Sequence, residues 1–247
     1  VRDMSVISTL TGLNSPRYLL NIGNDIGYIS DLYSDSITIL NTKELRTTGF
    51  INLGRSSEMM ARTGSKVYVA SWSGDSVITV ISSSDHTISK TITVGMEPES
   101  LVLDKNGILW VLCSGGYMGE ELPSLSSVDT NTDVVLQRFT YPSGSYPTSL
   151  NINYTGDTLY YINGGVYRMS VEESKLPQIP FIAGTNRRFY RIEPDARKGC
   201  IFVTDAGDYQ RNGYLLEYST TGVLRNEFEV GIIPGSMASR ETYIADK

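Results

Sequence analysis

Six short segments built around an aromatic, six glycines that keep step with them, and the lack of any capped helical period predict an all-β chain. Together they specify a β-propeller of four-stranded blades, six or seven in number. The segments are Gly27–Asp31, Val67–Ser71, Leu109–Cys113, Leu159–Asn163, Ile201–Asp205 and Thr242–Asp246. Their aromatics (Tyr28, Tyr68, Trp110, Tyr160, Phe202, Tyr243) lie 40, 42, 50, 42 and 41 residues apart. Gly12, Gly54, Gly95, Gly144, Gly184 and Gly231 repeat at 42, 41, 49, 40 and 47. Two markers sharing one period of 40–50 residues are the mark of a repeat architecture, and four short strands per repeat are the mark of a propeller blade.

The first unit reads as strands Arg17–Ile22, Ile26–Asp31, Ser36–Leu40 and Thr47–Leu53, separated by Gly, Asn, Asp and Ser, which form turns. Asn41–Lys43, Ser82–Asp85, Asp129–Thr132 and Ser219–Gly222 occupy the same turn in successive units. Full blades are expected at about 15–54, 56–95, 97–144, 146–184 and 190–231, in one propeller domain spanning 1–247. Residues 1–12 read as an outermost strand and 233–247 as two inner strands of a shared closing blade. The outcome is either a six-bladed ring with a short closing blade or a seven-bladed ring truncated at its ends. A lone blade is apolar on both faces and cannot bury itself. Neighbours around a ring cover both faces and leave only short edges.

Composition narrows the function. Of 247 residues 40% are hydrophobic, and 21 Lys and Arg stand against 27 Asp and Glu, a net charge of −6. This argues against nucleic-acid binding, which normally carries a basic footprint. The longest apolar run, Ile108–Cys113, is too short to span a bilayer. The chain opens on Val1 without a secretory apolar region, as expected of a mature form or a fragment. One histidine and two cysteines leave little for histidine catalysis or zinc, so no catalytic residue, metal or cofactor is expected. Cys113 and Cys200 stand one full blade apart, beyond disulfide reach, and read as buried thiols. His86, in a turn, reads as exposed. Asn153–Thr155 matches a glycosylation sequon and is read as incidental.

Val67-Tyr-Val-Ala-Ser71, Ser76–Ile81, Thr91–Gly95 and Pro98–Val111 resemble the YVTN family of propeller repeats. More narrowly, Ser15–Tyr18, Asp157–Asn163, Tyr167–Met169 and Val230–Gly235 resemble the surface-layer YVTN-type propellers of gut-bacterial outer membranes. These are usually seven-bladed lipoproteins. The resemblance implies a cell-surface, outer-membrane location. It suggests capture of cobalamin for a TonB-dependent outer-membrane transporter.

In this architecture the loops entering strand one and those joining strands two and three share one face, the usual binding face by fold-level analogy. Length variation falls there, at Ser114–Ser124, Thr185–Tyr190 and Ala206–Gly213. Loops vary and carry function on a constant scaffold. The expected ligand-binding residues are Tyr33, Trp72, Tyr117, Tyr146, Arg188, Tyr190, Asp208, Tyr209 and Arg211. Tyr and Trp give broad contact with a polar handle, and Arg suits phosphate or carboxylate. Arg187 adds a donor, and Asp31, Asp75, Glu120, Glu121 and Asp205 add acceptors. The expected function is non-enzymatic ligand capture. The rivals are a protein- or glycan-binding envelope scaffold and a metal-dependent propeller lactonase, for which Glu58, Glu97 and Glu99 stand at the mouths of the inner strands.

Overall fold

The computed structural model describes residues 6–195 and 198–237. Nineteen strands form five antiparallel sheets in strict sequence order. Blade 1 holds β1 (Pro16–Gly23), β2 (Ile26–Asp31), β3 (Ser36–Asn41) and β4 (Arg46–Asn52). Blade 2 holds β5 (Met60–Thr63), β6 (Lys66–Ala70), β7 (Val77–Ser82) and β8 (Thr87–Thr93). Blade 3 holds β9 (Pro98–Leu103), β10 (Ile108–Cys113), β11 (Ser124–Asp129) and β12 (Val134–Thr140). Blade 4 holds β13 (Thr148–Ile152), β14 (Thr158–Ile162) and β15 (Val166–Ser170). Blade 5 holds β16 (Phe189–Asp195), β17 (Cys200–Asp205), β18 (Asn212–Ser219) and β19 (Leu224–Ile232).

The molecule is therefore a five-bladed propeller, and the expectation of six or seven blades is corrected. Residues 6–12 and 233–237, the described parts of the segments expected to form a closing blade, contain no strand. Val6 and Ile7, apolar residues within the first of these segments, are 82% and 85% exposed. An apolar pair without a neighbouring edge gains no ladder and no burial. The rest of the expected closing blade, residues 1–5 and 238–247, lies outside the described residues.

Blade 4 also departs from expectation. Its fourth strand is replaced by an irregular segment from Val171, which returns to β15 through a single bridge, Val166 to Ile182. The segment contains Leu176-Pro-Gln-Ile-Pro180. Proline has no N–H to give a ladder, so two prolines three residues apart cannot sit in a paired strand.

Strand alternation builds the core. Val67 and Val69 point towards blade 1, whereas Tyr68 and Ala70 point towards blade 3. Trp110 and Leu112 meet blade 4, while Leu109, Val111 and Cys113 meet blade 2. Tyr160 and Ile162 meet blade 5. A middle strand buried on both faces reads as an unbroken apolar run, and each such side chain contributes about 1.5–3 kcal/mol. Four apolar cores thus join five blades in series.

The strand-two aromatics also latch neighbouring blades. The Tyr28 hydroxyl meets His86 Nδ1 of blade 2 at 2.5 Å. Tyr68 donates to Asp133 Oδ1 of blade 3 at 2.7 Å, and Lys66 reaches the other carboxylate oxygen at 2.8 Å. His86 and Asp133 hold equivalent places, just before β8 and β12, and both have positive φ, 61° and 55°. His86 is thus a latch residue rather than the freely exposed turn residue expected. Burial pushes the Tyr28 hydroxyl up to about 12. Cys113 and Cys200 are free and buried, and burial pushes the Cys113 thiol up to about 12.

Candidate functional site

The loops between second and third strands and the loops entering each first strand share one face. Their shape is set by the polar residue that closes strand two. Asp31 accepts backbone N–H groups from Asn14 (2.8 Å), Ser15 (2.9 Å) and Tyr33 (3.0 Å). Asp205 accepts those of Arg188 (2.9 Å) and Gly207 (3.0 Å), and Asn163 that of Tyr146 (2.9 Å). Each ties the loop entering its own blade to the end of strand two. Asp31 and Asp205 are buried at 2% and 4% exposure. Their oxygens are committed to the scaffold, which corrects their reading as acceptors for a ligand. Asp75 is engaged by Arg55 at 2.8 Å and Glu121 by Arg138 at 2.5 Å.

Five of the nine expected binding residues sit together on blade 5. Tyr190 and Tyr209 meet edge-to-face with ring centres 6.2 Å apart. The Arg188 guanidinium lies 5.6 Å from the Tyr209 ring centre, and that of Arg191 lies 4.8 Å from the Tyr190 ring. Asp208 accepts the N–H groups of Gln210 (3.0 Å) and Arg211 (2.9 Å), which hold its carboxyl below the usual range. Arg211 Nε lies 3.4 Å from the same carboxylate, with its side chain 88% exposed. Tyr209 has φ of 64°, an uncommon conformation for a bulky residue.

The other four stand apart, one to a blade. Tyr33, Tyr117 and Tyr146 project into solvent, 76%, 90% and 79% exposed, and Trp72 is half-buried. Tyr117 tops a loop folded on itself by hydrogen bonds from Glu121 N to Gly115 O (2.8 Å) and Gly115 N to Met96 O (3.0 Å). Gly115 has φ of 89°, and a Cβ there would fall 2.5 Å from Glu121 O, so only glycine fits this return.

Inside this face the inner strands surround a cavity of about 160 Å³, lined by Tyr18, Met59, Ser100, Ser149, Arg191 and Ser236 among others. The inner strands are stitched from blade to blade around it. Leu101 N donates to Met59 Sδ (3.4 Å), Leu150 N to Ser100 Oγ (3.0 Å) and Ile192 N to Ser149 Oγ (3.1 Å). Glu99 accepts Ser149 N at 2.7 Å, and Glu193 accepts Asn151 Nδ2 at 2.8 Å. Arg17 donates to Glu58 at 2.7 Å. Burial raises the Glu58 carboxyl above its usual range, with the Arg17 charge opposing.

Sequence reasoning singled out Glu58 and Glu99 but not Tyr18, Arg191 or Glu193. The signal was the register itself: Tyr18, Met59, Ser100, Ser149 and Arg191 fall at the same step of successive inner strands. Among the described residues no three His, Cys, Asp or Glu side chains are placed to hold a metal ion, and no helix is long and apolar enough to cross a membrane.

Fold and site together define a β-propeller with a loop face rich in aromatics and arginine. The chain belongs to the family of domains of unknown function DUF5074, whose model matches residues 2–222. No curated protein matches its sequence. Among solved structures it resembles hydrazine synthase of Kuenenia stuttgartiensis, at TM-score 0.71 and 16% identity over 94% of this chain and 71% of that one. It also resembles a quinoprotein alcohol dehydrogenase-like protein of Bacteroides thetaiotaomicron, at TM-score 0.68 and 15% identity over 87% of this chain. This chain spans 55% of that protein. At such identities the likeness speaks to the fold alone.

Proposed function

We propose that the chain is a non-enzymatic, cell-surface propeller that captures a ligand on its loop face. The observation that carries this reading is the blade 5 cluster, in which two tyrosines meet edge-to-face and each ring has an arginine beside it, next to loops of variable length. Rigid aromatic and guanidinium planes offer large contact area with donors at the edges. They suit a flat ligand bearing amides and phosphate. In its specific form the ligand is cobalamin, passed to a TonB-dependent transporter, as the surface-layer resemblance implies.

Calorimetry of cyanocobalamin against the protein tests this. The expected result is binding at micromolar concentration that Tyr209→Ala weakens by about tenfold, or 1.4 kcal/mol. No heat from the wild-type protein overturns the cobalamin reading. A protein- or glycan-binding role is favoured instead by Tyr117 and Met118, 90% and 80% exposed side by side on the blade 3 loop. Capture from an outer-membrane extract that Tyr117→Ala abolishes would select it.

A further inference from the structure

The channel cavity carries charge of both signs, from Arg191 on blade 5 and Glu99 on blade 3, that is not ion-paired among the described residues. On blade 5, Arg191 is half-buried, and among the described residues its side chain meets the Tyr190 carbonyl at 3.1 Å and the Tyr190 ring. Among the described residues no carboxylate pairs with it, although its field is felt at Tyr18 and Glu58. Beside it the Ser149 hydroxyl accepts Ile192 N and has its own proton to spare, and the Tyr18 hydroxyl has no hydrogen-bond partner in the described structure. This wall offers donors and a positive charge. On blade 3, Glu99 contributes a carboxylate that no Lys or Arg among the described residues neutralises. Its Oε1 takes Ser149 N and the Ser100 hydroxyl, which leaves Oε2 without a partner.

Half-buried charges without partners are costly, and a ligand that meets both recovers that cost. A simple anion answers Arg191 but faces Glu99, and a simple cation does the reverse. A molecule with both charges answers both walls. The volume, about 160 Å³, lies below the ~300–1,000 Å³ of pockets that take drug-sized ligands, which suits a small amino acid and not a corrinoid.

We infer that the mouth of the central channel is a binding site for a small zwitterion of the α-amino-acid or betaine class, its carboxylate on Arg191 with Tyr18 and Ser149, its ammonium on Glu99. Arg191 belongs to both sites, whereas Tyr209, whose removal tests the loop face, is not among the residues that line the cavity.

The experiment is calorimetric titration of the full chain with glycine, alanine and glycine betaine, and with acetate and methylammonium as single-charge halves. At least one zwitterion should bind, about tenfold or more tighter than either half. Arg191→Gln and Glu99→Gln should each lose that preference. Glutamine keeps an acceptor for Ser149 N and thereby the local fold, which an unchanged melting temperature verifies. Tyr209→Ala should leave zwitterion binding intact, so loss of cobalamin binding and loss of zwitterion binding are told apart. Absence of binding by every zwitterion, acetate binding as tightly as glycine, or an unaltered Arg191→Gln protein would each overturn the inference.

Discussion

The tyrosines of this chain serve two regions under opposite rules. Tyr28 and Tyr68 stand in the middle of blades 1 and 2, fully buried, their rings in an inter-blade core and their hydroxyls latched to the next blade. Tyr33, Tyr117 and Tyr146 stand on the loop face with most of their surface in solvent and no ring partner among the described residues. The first set is held by both its apolar body and its polar tip. The second is held only by the backbone beneath it, as where Asn163 fixes Tyr146 N. One residue type therefore works as cement where both neighbours are blades, and as an open contact surface where the neighbour is water.

Tyr68→Ala should break this contrast most sharply. Removing a buried ring leaves a cavity between blades 2 and 3, with an expected loss of about 3–5 kcal/mol, measured by chemical denaturation. Tyr68→Phe keeps the ring and strips one hydrogen bond from Asp133, at about 1.5–3 kcal/mol for a bond to a charged group. His86→Ala tests the equivalent latch on Tyr28 and should cost about 0.5–1.5 kcal/mol, less than the Tyr68→Phe change. At the other extreme, Tyr117→Ala should leave stability within about 0.5 kcal/mol of wild type. A large loss there would merge the two sets.

A further test concerns Glu58, which lies between the regions. Its folded pKa is raised by burial, so the protonated form is favoured by folding. That contribution is fully present below the unfolded value of about 4.3 and is lost as pH rises through the raised folded value. The stability of the wild type relative to Glu58→Gln should therefore fall as the pH rises above about 4. A rising difference would mean that the Arg17 pair dominates over burial.

The repeat was legible because it is written in residues that have one place to go. A middle strand needs apolar side chains on both faces, so Ile108–Cys113 could be nothing but interior. Blade number was less legible. Val6 and Ile7 show strand-like character, but pairing depends on a neighbouring edge that the local sequence does not encode. The missing fourth strand of blade 4 was written in Pro177 and Pro180, and the regular period drew attention away from them. In the site, loop-length variation located the blade 5 loops. That Asp31 and Asp205 serve the backbone could not be read from their residue type, because an acidic side chain looks the same in sequence whether it meets an amide or a ligand. The channel residues are far apart in sequence and converge only through register.

The serial arrangement of four cores also governs how the molecule opens. In blades 1, 2, 3 and 5 the third strand is covered by a full outer strand; on β15 one bridge at Val166 does that work. Arg168, two residues on and facing the same way, has no backbone partner on that side. Amide exchange should thus be fastest on this rim of β15, and a protease should cut first within 171–181, where the chain is least protected. Blade 4 is the one blade of the five without a full outer strand among the described residues, and local opening should start there.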